Sequence, residues 1–73
     1  NLTVGYKRKR RIKTMLFQFY QGQQDRGYAL ELNGELAYLQ NIEPEYCKYL
    51  IDFMDTKYNY NFKKSINRAI KQS

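Results

Sequence analysis

Residues 7–13 read Lys-Arg-Lys-Arg-Arg-Ile-Lys, six cations in seven positions with no acid among them. Side chains of this kind displace the counterions condensed on a phosphate backbone, and each such contact steepens the salt dependence of binding. They do not read base sequence by themselves. Lys7, Arg8, Lys9, Arg10, Arg11 and Lys13 are therefore candidate phosphate contacts. Two other readings compete: a solvated tail and a nuclear-localisation address. A second set stands near the other end, where Lys64, Asn67, Arg68 and Lys71 recur at helical spacing with Lys63 at their border. Arginine can grip guanine and asparagine can grip adenine through paired hydrogen bonds. The dipole near a helix C-terminus favours the same cations with no ligand present.

The charges are segregated along the chain. Residues 1–24 and 58–73 hold ten of the 13 Lys and Arg and no acid, while residues 25–57 hold all seven acids against three bases. Two basic ends thus flank an acidic middle, within an overall charge of +6. If folding joins the ends, they form one patch that attracts polyanions. A nucleic-acid function therefore demands that both basic sets lie on one side of the molecule.

Eight tyrosines in 73 residues supply a further surface. Exposed aromatic rings among cations can stack unpaired bases, and tyrosine also anchors protein interfaces. Tyr28, Tyr46 and Tyr49 fall on expected core faces, whereas Tyr38, Tyr58 and Tyr60 are freer.

Little points to catalysis. The chain has no histidine, the commonest general acid or base. Its one cysteine, Cys47, falls on an apolar helix arc and reads as an inert buried thiol. No cluster of residues has metal-ligand spacing, and no glycine pattern makes a phosphate loop. No enzyme activity, cofactor, metal or small-molecule substrate is expected. A lone cysteine and the lack of an apolar run of spanning length suggest an intracellular protein, in cytoplasm or nucleus, with no membrane partner. The chain starts at Asn1 rather than Met, as an excised or accessory domain would.

These side chains must be positioned by one small domain covering residues 1–73, with residues 1–10 as a basic N-terminal arm with room to be flexible. Residues 11–20, RIKTMLFQFY, are rich in β-formers and read as a strand, although their alternation is imperfect. Residues 21–27 read as a loop. YALEL alternates, Asn33-Gly34 is the preferred type I′ turn pair, and ELAYLQ returns, which together read as a β-hairpin. Tyr28, Leu30, Leu32, Ala37 and Leu39 then share one face of that hairpin, and Ala29, Glu31, Leu36 and Tyr38 the other. Pro44 and Glu45 start a helix that runs to about residue 57. Tyr58 to Asn61 form a break with Asn61 as N-cap, and a second helix spans residues 62–71. The spacing of helix, four-residue break and helix resembles that of a helix-turn-helix.

The expected fold is thus α+β: a three-stranded antiparallel meander followed by two C-terminal helices, with a winged-helix-like arrangement as a variant. The expected function is a small non-enzymatic nucleic-acid-binding domain, with DNA the favoured partner. The alternative is a protein-interaction module or accessory domain, of phage or mobile-element regulator type. It would use the exposed tyrosines and the outer hairpin face to hold a protein partner or a second copy.

Overall fold

A computed structural model describes residues 5–71. They form four helices: α1 (Tyr6–Tyr20), α2 (Arg26–Ile42), α3 (Pro44–Tyr58) and α4 (Phe62–Lys71). No strand occurs among the described residues. The fold is all-α, so the expected α+β class, its three-stranded meander and its winged-helix-like variant are all overturned.

The reason lies in periodicity. Ile12, Met15, Leu16, Phe19 and Tyr20 follow the i, i+3, i+4, i+7, i+8 pattern of a helix stripe, and all five are buried. Phe17, the one apolar residue between Ile12 and Tyr20 that lies off this stripe, is 44% exposed. In α2, Ala29, Leu32, Leu36 and Leu39 recur at the same period and are likewise buried. The would-be inner hairpin face does not exist: Leu30 and Ala37 are exposed. The would-be outer face is equally absent, since Ala29 and Leu36 belong to the core. Asn33 and Gly34 sit mid-helix on the solvent side. Neither takes the positive φ of a type I′ turn, which among the described residues occurs only at Asn59 and Gly22.

Residues 6–10 are not an arm but the first turns of α1; residues 1–4 lie outside the described part. The expected loop shortens to residues 21–25, with Gly22 at φ 121, a conformation that glycine tolerates best. Asp25 caps α2 by accepting the Tyr28 N–H at 3.2 Å.

The C-terminal half matches expectation closely. Pro44 opens α3, which ends at Asn59 in the left-handed region. Asn61 caps α4, its Oδ1 accepting the Lys64 N–H at 3.1 Å. Asp55 joins the two helices. It accepts hydrogen bonds from the Phe62 N–H at 3.0 Å and from the Tyr20 hydroxyl. Burial, reinforced by that hydrogen bond, raises the Tyr20 phenol far above its usual pKa.

Helix α2 is the centre of the assembly, touching α1, α3 and α4. Phe19, Tyr20, Tyr58, Tyr60 and Phe62 pack their rings together and fasten the end of α1 to the α3–α4 turn. Tyr58 and Tyr60, expected to be free, are therefore partly buried structural groups. No helix among the described residues is long and apolar enough to cross a membrane.

Candidate nucleic-acid interface

Helical geometry distributes the basic run over three directions. Successive residues turn by about 100°, so neighbours in sequence part company. Arg8 and Arg11 face α2, Lys9, Arg10 and Lys13 turn toward α3, and Lys7 is exposed.

Three of the six cations are engaged. Arg8 pairs with Glu35 at 2.8 Å and lies 4.0 Å from the centre of the Tyr38 ring. Arg11 pairs with Glu31 at 3.2 Å. Lys9 pairs with Glu43 at 3.0 Å and sits 4.8 Å from the Tyr46 ring centre. These contacts clamp α1 along α2 and onto the α2–α3 corner. Exposed pairs of this sort contribute roughly 0–1 kcal/mol each, with a cation–π contact adding about 0.5–1 kcal/mol. Among the described residues, Arg10, Lys13 and Lys7 have no carboxylate partner.

Arg10 and Lys13, but not Lys7, line a groove of about 780 Å³ between α1 and α3. Helix α1 contributes Tyr6, Lys9, Arg10, Lys13, Thr14 and Phe17; α3 contributes Tyr46, Phe53, Met54 and Lys57. Four cations and four aromatic rings thus share its walls, and no carboxylate lines it. Lys57 Nζ stands 5.9 Å from the Phe53 ring centre and 5.7 Å from that of Tyr58. The groove combines positive charge with aromatic rings. It offers no nucleophile–base pair, and no metal-binding group of His, Cys, Asp or Glu occurs among the described residues. Cys47 is buried, its Sγ 3.8 Å from the Leu36 carbonyl oxygen, and burial raises its pKa.

The second basic set lies elsewhere. Lys63 and Asn67 line a smaller groove of about 300 Å³ with Asn33, Ala37 and Gln40 of α2. Lys64, Arg68 and Lys71 are exposed on α4. On α2, the residues meeting α1 (Tyr28, Glu31, Glu35, Tyr38) and those facing α4 (Asn33, Ala37, Gln40) lie about half a turn apart. The two basic sets therefore occupy opposite flanks and do not merge into the single patch anticipated from the sequence.

Sequence reasoning missed Tyr6, Phe17, Tyr46, Tyr49, Phe53 and Lys57 as site residues. Tyr49, expected in the core, is 63% exposed, and Phe53 is 46% exposed. The signal was present. The apolar arc of α3 is wider than its buried stripe of Cys47, Leu50 and Met54, and Tyr49 and Phe53 form its outer margin. Comparison with known proteins finds no matching family model, curated protein or solved structure.

Proposed function

We propose that this domain binds nucleic acid without catalysing a reaction on it, holding phosphates in the groove between α1 and α3. The observation that carries the reading is the lining itself: Lys9, Arg10, Lys13 and Lys57 converge with aromatic rings and no acid. Arg10, Lys13 and Lys57 lead, because Lys9 already holds Glu43. Acids elsewhere, such as Glu31 and Glu35 beneath Arg11 and Arg8, order α1 and leave this flank positive. The basic face of α4 lies on the opposite flank, which counts against the single site of both basic sets that the sequence demanded; the groove alone therefore carries the reading, and α4 is left out of it.

The test is fluorescence-anisotropy titration of labelled duplex DNA, single-stranded DNA and RNA across a salt series. Arg10→Glu with Lys13→Glu should abolish most binding. Alanine at the same two positions should reduce the salt slope by about 0.7–0.9 for each phosphate no longer neutralised. Lys64→Ala with Arg68→Ala and Lys71→Ala should cost less than the two groove changes. Wild-type affinity in the Arg10→Glu/Lys13→Glu protein sinks the reading.

A further inference from the structure

The groove carries more than charge. Tyr49 and Phe53, one helical turn apart on α3, leave their rings in solvent at 63% and 46% exposure. The rings lie nearly parallel, 26° apart, with centroids separated by 6.2 Å. Phe53 is part of the groove wall, and Tyr49, stacked beside it to make a two-ring shelf, lies just outside the lining. On the same helix face, Lys57 holds its ammonium near Phe53.

Such a shelf discriminates between forms of nucleic acid. A duplex hides the faces of its bases in its own stack and presents phosphates and base edges. Ring faces gain nothing from it. A single strand presents unpaired base faces, and stacking each on an aromatic ring contributes roughly 1–3 kcal/mol. The concavity points the same way. Duplex readers insert a convex helix into the major groove, whereas here two helices border a trough with cations and rings on both walls: Lys9, Arg10, Lys13, Tyr6 and Phe17 on α1, and Lys57, Tyr46 and Phe53 on α3. Charge complementarity requires a polyanion, and the rings require that its bases be unpaired.

We infer that the α1–α3 groove takes single-stranded nucleic acid, with phosphates along Arg10 and Lys13 and unpaired bases on the Tyr49–Phe53 shelf. This rests on the nucleic-acid reading above and adds its substrate class. The shelf selects single strands without reading sequence, since every base has a face to stack.

The experiment measures binding of a labelled mixed-sequence 15-nucleotide DNA strand and of its duplex, at matched salt. Wild type, Tyr49→Ala/Phe53→Ala, Phe53→Tyr and Arg10→Glu/Lys13→Glu are compared, with circular dichroism confirming each fold. Both shelf residues are exposed, so their truncation leaves the buried core intact. The single strand should bind more tightly than the duplex. The double alanine variant should lose about tenfold or more on the single strand and change little on the duplex, with the salt slope unaltered. Phe53→Tyr keeps a ring and should retain binding. Equal affinity for both forms, with the alanine variant unaffected and the charge-reversed one weakened, overturns the single-strand assignment while leaving phosphate binding standing. No binding to either form overturns both, and the exposed rings then belong to a protein interface.

Discussion

Replacing Gly34 by alanine should stabilise the protein, and the sign of that change separates two folds for the same stretch of chain. Gly34 is the ninth residue of the 17-residue α2, on its solvent side. A Cβ built there meets nothing within 4 Å, and the residue does not have positive φ. The substitution therefore adds no clash and no strain, and it restricts the unfolded chain. Glycine in a helix interior is about 0.8–1 kcal/mol less favourable than alanine. For a domain of this size, 1 kcal/mol moves the melting temperature by about 4–8 °C. Thermal melts followed by far-ultraviolet circular dichroism should show a rise of that order with the helical signal intact. A hairpin turn at Asn33-Gly34 would need φ > 0 there and would lose stability on the same change. Gly22→Ala is the internal control. Gly22 has φ 121, so alanine is strained there despite open space, and the melting temperature should fall. A lowered melting temperature for Gly34→Ala, or equal responses at both glycines, would refute the helical placement of residues 28–40.

Other consequences are as direct. Asp55→Ala leaves the Phe62 N–H and the Tyr20 hydroxyl without their acceptor; it should cost roughly 1–3 kcal/mol in urea denaturation, and unchanged stability would remove Asp55 as the link between α1, α3 and α4. Asn61→Ala should cost about 1 kcal/mol by uncapping α4, whereas Asn61→Asp should retain most of the stability. The Tyr20 phenol is raised above its ordinary value of 10.0, so its stabilisation is complete below that pH and is lost as pH rises beyond it. Denaturation across alkaline pH should show that loss, with Tyr20→Phe flattening it in part, because Tyr28 is raised in the same direction. Cys47 should react slowly with a thiol reagent in the folded protein and quickly in urea, owing to its burial and raised pKa; fast labelling of the native chain would contradict its place in the core.

The sequence by itself determined the elements whose signals are local. Pro44 at a helix start, Asn61 as a cap and Phe62, Ile66 and Ala69 at helical spacing define α3 and α4, because capping and φ restriction act within a turn of the residue concerned. The helical period was equally present at Ile12, Met15, Leu16 and Phe19, and at Ala29, Leu32, Leu36 and Leu39. There it competed with β-formers and with an Asn-Gly pair. Local preferences of about 1 kcal/mol could not decide that contest. It was decided by burial, since one helical stripe on α2 serves α1, α3 and α4 at once, whereas a two-stranded hairpin is marginal alone. The candidate site divides in the same way. The sequence supplied the cations and the absence of acids beside them. Only the tertiary structure separated Arg8, Lys9 and Arg11, which meet carboxylates, from Arg10 and Lys13, and set those two across a groove from Phe53 and Lys57. The physical reason is the turn of about 100° per residue. It spreads a contiguous basic run over three faces, one against α2, one toward α3 and one open to solvent.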